Sequence, residues 1–272
     1  YADMLRKTFQ GIDLGIDDLY LLDGFQIAYL PDRVPQREFA AVLHANPSIK
    51  RFLITKHPPI VAFIEDVFTR FGPAANQQEL DEYSEQLLWE IADQFVYIKR
   101  PDMYDERVDL GWNFEEVLEI VLLEHKVVLD VGAGTGRIAF EAAHTADLGF
   151  AVEPVTSLRH FIRDKASNTG VTNLFAIDGL LHAIPLPAGF ADVLITSNAI
   201  GWQLEDELRE IERVVKPGGT TIHLFSQADE DARAAPLHSL LTSSAWHYTC
   251  SRYRGKDGWK GKYWKQIEKK ED

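Results

Sequence analysis

Residues 127–137 read VVLDVGAGTGR, an apolar run that ends at Asp130 and leads into Gly132, Gly134 and Gly136. Glycine adopts positive φ without strain and lets a ligand approach the backbone, because it has no Cβ. A glycine-rich turn between a strand and a helix commonly binds a cofactor. The stretch therefore predicts a buried strand, a tight turn, a helix and a ligand site at the turn.

Apolar runs of strand length recur beyond Phe114, with helical patterns between most of them. This alternation is typical of a parallel sheet covered by helices on both faces, an α/β fold. We predict strands at residues 127–131, 148–152, 174–177, 193–196 and 220–225.

Polar residues come at or near the ends of four of these strands: Asp130, Glu153, Asp178 and the pair Ser197–Asn198. Ligands of open α/β sheets bind outside the carboxyl ends of the strands. We therefore expect these side chains to share one rim of the sheet.

The first hundred residues show a different pattern. An Asp-Gly pair lies between apolar flanks in LYLLDGFQIAYL, residues 19–30, which predicts a tight hairpin. Apolar residues three and four apart predict helices over 35–45, 60–71 and 79–97. A polar segment with a proline, KRPDMYDERVDLGW, follows and is typical of a hinge. We expect a mostly helical N-terminal cap with a hairpin over residues 1–100, and a second domain over 101–272.

The chain has 272 residues, a formal net charge of −14 and a single cysteine, Cys250. The negative charge disfavours nucleic acid, which binds proteins of the opposite balance. One segment, Arg252–Lys270, mixes basic and aromatic residues that could stack on bases. The alternative, which we favour, is a hairpin whose aromatic residues face the sheet.

A lone cysteine excludes an internal disulfide and suits a reducing compartment. His247 lies three residues before Cys250, but two candidate ligands do not make a metal site, so we expect no metal. No apolar run approaches the roughly 20 residues that span a bilayer, and YADMLRKTFQ at the start lacks the hydrophobic core of a signal peptide. We expect a cytoplasmic protein without membrane contact.

The glycine loop departs from the dinucleotide pattern G-x-G-x-x-G, because the sixth position from Gly132 is Arg137. It resembles instead the first motif of the class I S-adenosylmethionine-dependent methyltransferases, in particular small-molecule enzymes similar to those of ubiquinone and menaquinone biosynthesis. Further segments resemble this family in the same order: AVEP at 151–154, AIDGLLHAIPLP at 176–187, ADVLITS at 191–197 and LREIERVVKPGGTTIHLF at 208–225. The resemblance covers residues 104–265.

The resemblance implies a Rossmann-like, seven-stranded mixed sheet whose last strand is antiparallel and comes from the hairpin RYRGKDGWKGKYW. It also implies S-adenosylmethionine as cofactor. Glu153 would accept from the ribose hydroxyls, Asp178 from the adenine amino group, and Asp130 would orient the ammonium. The glycine loop would bend under the methionine part, with amides at the following helix available to polar atoms. The implied cofactor-binding residues are Tyr104, Asp130, Gly132, Ala133, Gly134, Gly136, Glu153, Asp178, Gly179, Leu180 and Ser197.

Alternatives stay open for several of these residues. Glu153 precedes Pro154 and could instead be a charge at the start of a helix. The interval from Asp178 to Pro185 is longer than is usual in the family, so Gly179 or Leu180 could be the neighbour of adenine. Tyr104 resembles an aromatic that closes over the cofactor, with Trp112 packed nearby, but it could equally be a linker aromatic on the surface.

Methyl transfer from a sulfonium depends mainly on proximity and orientation, and a base is needed only for a protonated acceptor. His182 is the candidate base, although a loop histidine is more often a surface residue. Asn198 and Trp202 are candidates to line the acceptor pocket, and Asn198 could instead cap the next helix. SNAIGW at 197–202 lacks the Asn/Asp-Pro-Pro-aromatic form of amino-methylating enzymes of nucleic acids and proteins.

We therefore predict a methyltransferase that acts on a small molecule, with the N-terminal helices as a lid over the open rim of the sheet. Two other functions stay open: a partner subunit that binds S-adenosylmethionine without catalysis, and, less favoured, an NAD-dependent oxidoreductase. The sequence also leaves a homodimer open.

Overall fold

The computed structural model describes residues 2–108, 113–227, 234–255 and 258–268. The chain forms two compact units, Tyr1–Val108 and Asp109–Asp272. The division falls inside the segment predicted as a hinge, after Val108 rather than after Arg100.

The described part of the N-terminal unit is helical. Two short 3-10 helices, Ile16–Leu21 and Pro58–Ile60, accompany its α-helices. The α-helices are α1 (Ala2–Thr8), α2 (Gly24–Ala28), α3 (Leu30–Arg33), α4 (Gln36–Ala45), α5 (Pro47–Lys56), α6 (Val61–Arg70), α7 (Gln77–Glu90), α8 (Ala92–Lys99) and α9 (Pro101–Arg107).

These helices bury their apolar faces against one another. Phe39 and Leu43 of α4, Leu53 of α5, Ile64 of α6 and Leu87 of α7 belong to one hydrophobic cluster and are almost fully buried. The unit thus has a core of its own, as amphipathic helices require.

The predicted hairpin over residues 19–30 is wrong. Asp23 begins α2 instead of a turn, since its backbone N–H donates to Gln26 Oε1 (3.1 Å) and its carbonyl accepts from Ile27 N (3.0 Å). Leu19 and Ile27 are both fully buried in the helical core. Helix capping by Asp23 and burial on a helical face therefore prevail over the turn propensity of Asp-Gly.

The other helix predictions need small changes. The predicted helix over 79–97 is divided at Ile91, which is fully buried and leaves helical geometry (φ −120°, ψ 20°). Pro101 begins α9 from a position in the first turn, where a proline costs no hydrogen bond.

The C-terminal unit contains the predicted mixed sheet, and the five strands expected from the sequence are confirmed. Its strands are β1 (Val127–Val131), β2 (Leu148–Val152), β3 (Leu174–Ile177), β4 (Ala191–Ser197), β5 (Val215–Gln227), β6 (Thr249–Gly255) and β7 (Gly258–Gln266). Their order in the seven-stranded sheet is β3-β2-β1-β4-β5-β7-β6.

Strands β3, β2, β1, β4 and β5 pair in parallel, whereas β7 pairs antiparallel with β5 and with β6. The last strand is thus antiparallel, as expected. The helices of this unit are α10 (Glu115–Leu118), α11 (Arg137–Ala143), α12 (Thr156–Thr169), α13 (Leu204–Val214) and α14 (Ala234–Leu241).

The basic and aromatic segment near the carboxyl end forms the predicted hairpin of β6 and β7. Lys262 Nζ lies 2.8 Å from Glu119 Oε2, and Lys265 Nζ lies 2.6 Å from Glu212 Oε1. Tyr253 donates to Glu116 Oε1 at 2.7 Å. These basic side chains are thus paired with acidic residues of the same unit.

Within the described ranges, none of the helices has the length and apolar character that a bilayer span needs. The same residues hold no group of three or more His, Cys, Asp or Glu side chains that could bind a metal ion.

Candidate functional site

Asp130, near the carboxyl end of β1, has a buried carboxylate. Its Oδ2 accepts from the backbone N–H of Ala139 in α11 at 3.0 Å. Its Oδ1 is buried without a hydrogen-bond partner among the described residues. Burial raises the pKa of Asp130 to about 7, the charge of Glu153 adds to this, and the Ala139 N–H opposes it. A buried, unsatisfied carboxylate oxygen is costly without a ligand, so this position suits a hydrogen-bond donor or a cation.

Glu153 follows β2 and is 4% exposed. Its Oε2 accepts from Gly134 N at 2.8 Å and its Oε1 accepts from Val155 N at 2.9 Å. Burial raises the pKa of Glu153 to about 7, while these two N–H groups oppose the shift. The bond to Val155, just before α12, matches the helix-start interpretation, and the bond to Gly134 ties the carboxylate to the glycine loop. Each oxygen keeps a further lone pair for a hydroxyl group.

The glycine loop is held close to the loop that follows β4. A Cβ added to Gly132 would lie 2.5 Å from Ala199 Cβ, so only glycine fits there. Gly134 has φ +56°, and a Cβ added to it would meet nothing within 4 Å. The backbone of Gly134 thus faces open space beside Glu153, where a ligand can reach it.

Most loop amides bond within the protein. Gly132 N and Ala133 N donate to Val152 O, and Gly136 N donates to Ala133 O. Ala133 also packs beside Ala139 and Ala176 in a core cluster. Ala139 N, in the first turn of α11, bonds to Asp130, so the carboxyl groups of Asp130 and Glu153 are the polar groups best placed for a ligand.

Asp178 lies just after β3 and is exposed. Its Oδ1 is 3.1 Å from Arg159 Nη1. The residues after it form a small turn in which Leu180 and Ala183 pair their backbones. Gly179 packs against Val152 and Pro185. The structure therefore brings Asp178 beside the ends of β2 and β3, with Gly179 and Leu180 directly following.

The loop from Ser197 to Gln203 links β4 to α13. Asn198 has positive φ (52°), and its Oδ1 accepts from Ser226 N at 2.8 Å. Glu207 is 2% exposed and accepts from the N–H groups of Gly201, Trp202 and Gln203 at 2.7, 3.2 and 3.0 Å.

Asn198 therefore does not cap α13, because its side chain bonds to β5 and the helix begins at Leu204. Trp202 is 62% exposed. The loop lies against Gly132 at Ala199. The backbone of Trp202 is held by its hydrogen bond to Glu207, and its aromatic side chain is exposed.

His182 is half-buried in the turn after β3. Its charge is one of the contributions that lower the pKa of Glu210 in α13, where the hydrogen bond from Arg213 is the largest. Glu210 also accepts from Ile184 N at 2.7 Å. This placement puts His182 beside α13, in the chain segment that contains Asp178.

Tyr104 belongs to α9 of the N-terminal unit. Its ring centroid lies 4.3 Å from that of Tyr97 and 6.3 Å from that of Phe9. Its predicted role in closing over a cofactor stays a prediction, and Trp112 lies outside the described residues.

Sequence reasoning missed a buried polar cluster between β4 and β5. His223 Nδ1 lies 2.8 Å from Thr196 Oγ1, and His223 Nε2 lies 3.1 Å from Thr221 Oγ1 and 3.2 Å from Tyr248 Oη. Burial lowers the pKa of His223 to about 3, so the imidazole is neutral at physiological pH. His223 lies in the strand predicted at residues 220–225, but a single sequence does not show its partners.

It also missed Arg159 and Glu207. Both side chains act on backbone groups of loops, and such contacts leave no pattern in one sequence. Arg159 and Arg163 lie four residues apart, on one face of a helix, which is the only sequence signal for the first of them.

Residues 129–223 match the family described as Methyltransferase domain. The resemblance of the C-terminal unit to the class I S-adenosylmethionine-dependent methyltransferases is thus supported over these residues. An uncharacterized methyltransferase of Geobacillus sp. (strain WCH70) is 23% identical over 159 residues, which are 53% of this chain and 73% of that protein. The malonyl-[acyl-carrier protein] O-methyltransferase of Methylovorus sp. (strain MP688) is 27% identical over 146 residues, 51% of this chain and 48% of that protein.

The fold has solved relatives. The crystal structure of the PH0226 protein from Pyrococcus horikoshii OT3 is 16% identical and matches with a TM-score of 0.50, covering 66% of this chain and 99% of that one. The predicted fold class is thereby confirmed, and the match over residues 129–223 supports the resemblance that the sequence motifs indicated.

The residues present fit S-adenosylmethionine, the cofactor of this class. The unpartnered Oδ1 of Asp130 suits a cationic donor, and Glu153 keeps acceptor capacity for hydroxyl groups. Open space at Gly134 leaves the backbone reachable between them. When bound, the cofactor supplies an electrophilic methyl group, and the chain's own residues supply binding and orientation.

Proposed function

We propose that the protein transfers a methyl group from S-adenosylmethionine to a small-molecule acceptor, mainly by holding the two reactants in line. The observation that carries the proposal is the pair of buried carboxylates, Asp130 and Glu153, which lie at the ends of adjacent parallel strands. Glu153 contacts Gly134 directly, so loop and carboxylate form one binding surface. In this proposal Glu153 holds the ribose, Asp130 the ammonium group and Asp178 the adenine.

The acceptor would approach along the loop Ser197–Gln203. This loop touches the glycine loop at Gly132, and Trp202 offers an exposed aromatic surface for stacking. Asn198 Nδ2 donates to Ser197 Oγ at 3.5 Å, and the second N–H of this amide would donate to the acceptor. In-line displacement at a methyl carbon needs alignment above all, and such positioning can supply most of the rate effect. His182 stays the candidate base for acceptors that arrive protonated.

The choice of a small molecule is supported by the net charge of −14, which disfavours nucleic acid. It is also supported by the pairing of Lys262 and Lys265 with Glu119 and Glu212, which ties two basic side chains of that hairpin to acidic residues of the same unit. The experiment is turnover with a panel of small metabolites and tritiated S-adenosylmethionine, with bulk RNA and protein extract as comparison substrates. Labelling of RNA or protein alone would refute the small-molecule acceptor. Binding without turnover on any substrate would support the alternative, a partner subunit.

The lid function of the N-terminal unit is a separate proposal. The helices of this unit bury their apolar faces in a core of their own, so they do not need the rim of the sheet for that purpose. The remaining support is the aromatic group of Tyr97 and Tyr104 at its carboxyl end. A chain that starts after Val108 and methylates as fast as the full chain would contradict a lid.

A further inference from the structure

Arg159 in α12 joins the ends of two strands. Its Nη1 donates to the carbonyl oxygen of Glu153 at 2.7 Å and to Asp178 Oδ1 at 3.1 Å. Its Nη2 donates to Thr156 Oγ1 at 3.1 Å. One guanidinium thus connects the residue after β2, the residue after β3 and the first turn of α12.

The two members of the ion pair differ in their surroundings. The Arg159 side chain is 12% exposed, while that of Asp178 is 73% exposed. Arg159 is held by Glu153 O and Thr156 Oγ1 whether or not Asp178 is present. Asp178, by contrast, has the freedom of a surface side chain apart from this contact. An ion pair with so exposed a partner adds little to stability, so its effect is on orientation.

This orientation matters to a ligand at the strand ends. The bond from Arg159 to one carboxylate oxygen restricts the rotation of the Asp178 side chain, so the second oxygen has fewer directions to face. A group held in its bound geometry before the ligand arrives loses less entropy on binding.

We propose that Arg159 is a positioning residue that orients the Asp178 carboxylate toward the exocyclic amino group of adenine, and so sets the preference of the site for a 6-amino over a 6-oxo purine. The inference rests on the proposed role of Asp178 in nucleobase binding. A 6-amino group donates to the carboxylate, whereas a 6-oxo group in the same place offers only lone pairs and repels it. Arg159 does not touch the reacting atoms and acts through Asp178.

The test compares the dissociation constants of S-adenosylhomocysteine and S-inosylhomocysteine, its 6-oxo analogue, by calorimetry on the full chain. The ratio of the two constants is the readout, because a general disturbance of the site weakens both ligands and leaves the ratio unchanged. We expect the wild-type protein to prefer the adenine ligand roughly 10- to 100-fold, which is the range for one hydrogen bond to a charged group.

Arg159→Met should reduce this preference at least about fivefold, because the carboxylate loses its fixed direction. Arg163→Met is the matched control. Arg163 lies one turn further along α12 and donates to Ala176 O of β3 at 2.8 Å, a contact with the same strand that does not involve Asp178. Its ratio should stay at the wild-type value. Thermal unfolding of both variants checks that each is folded.

Asp178→Ala separates the inference from the proposed function beneath it. Loss of the preference in Asp178→Ala together with its retention in Arg159→Met would overturn the inference alone. Retention in Asp178→Ala would remove Asp178 from the nucleobase site, in favour of Gly179 or Leu180, and would overturn the inference with it. In the double variant, Arg159→Met should add no further change to the ratio.

Discussion

The proposed cofactor half and the proposed acceptor half of the site differ in their buried polar groups. The cofactor half, at the ends of β1 and β2, contains the buried carboxylates of Asp130 and Glu153. The proposed acceptor half, the loop Ser197–Gln203, is supported instead by Glu207 of α13, whose buried carboxylate accepts from three backbone N–H groups of the loop. In the proposed function, the cofactor therefore meets carboxyl groups that are in place before it arrives, whereas the acceptor meets a loop with an exposed aromatic ring, Trp202.

This difference suits an in-line displacement. The cofactor is charged and common to the whole family, so its half can be fixed in strands and a tight loop. The acceptor varies between enzymes, and loops tolerate change. Substitutions in the two halves should therefore separate into effects on cofactor affinity and effects on the acceptor.

The largest effect is expected from Glu153→Ala. The variant loses the proposed ribose contacts and also releases Gly134 N and Val155 N. We expect the affinity for S-adenosylhomocysteine, measured by calorimetry, to fall roughly 10- to 100-fold or more. Glu141→Ala, an exposed position in α11, is the control and should change nothing. Equal affinities in the two variants would mean that Glu153 does not bind the cofactor and only stabilises the start of α12.

Asp130→Asn should have opposite effects on stability and binding. The pKa of Asp130 is raised from 3.8 to about 7 by burial, so the folded protein holds this proton while the unfolded chain has released it. This group's contribution to stability is therefore fully present at low pH and is lost as the pH rises from about 4 through 7. At pH 8 the unliganded variant should melt a few degrees above the wild type.

The same variant should bind S-adenosylhomocysteine more weakly, because it loses a charge opposite the ammonium group. The measurements are thermal unfolding without ligand at pH 4 and pH 8, and calorimetry at pH 8. A variant that melts lower at pH 8 and binds as tightly as the wild type would refute the proposed role of the Oδ1 atom.

Trp202→Ala tests the acceptor half. The backbone N–H of residue 202 still reaches Glu207 in this variant, so the loop keeps its support. We expect the KM for the acceptor to rise severalfold through the loss of stacking, while the affinity for S-adenosylhomocysteine stays within twofold. A loss of cofactor affinity instead would mean that the two halves are not independent.

The smallest effect is expected from His182→Gln. If alignment of the two reactants supplies most of the rate enhancement, turnover at saturating substrates should fall less than tenfold in this variant. The pH-rate profile should keep its shape. A general base would cost roughly a hundredfold or more and remove a limb of the profile. A loss of that size would show that His182 is a catalytic residue and would refute catalysis by positioning alone.

The sequence predicted the sheet unit well and the helical unit less well, for physical reasons. Strands such as Val127–Val131 are buried on both faces, so each reads as an apolar run with a clear end. Asp130 and Glu153 lie at such ends, which is why their place at one rim of the sheet could be predicted. The Asp23–Gly24 pair, by contrast, is compatible with both a tight turn and the start of a helix. The burial of Leu19 and Ile27 in the helical core decides between the two structures.

Contacts between side chains and loop backbones were beyond prediction. Arg159, Glu207 and Asn198 bond to carbonyl or N–H groups whose positions exist only once the strands have assembled. A single sequence shows the residue types but not these partners, so it does not predict the hydrogen bonds that hold the loop Ser197–Gln203.

The most direct measurement of the central claim is a calorimetric titration of the full chain with S-adenosylhomocysteine and, in parallel, with NAD. We predict saturable binding of S-adenosylhomocysteine at one site per chain, weakened by Glu153→Ala, and no heat of binding with NAD. Binding of NAD without binding of S-adenosylhomocysteine would contradict the account.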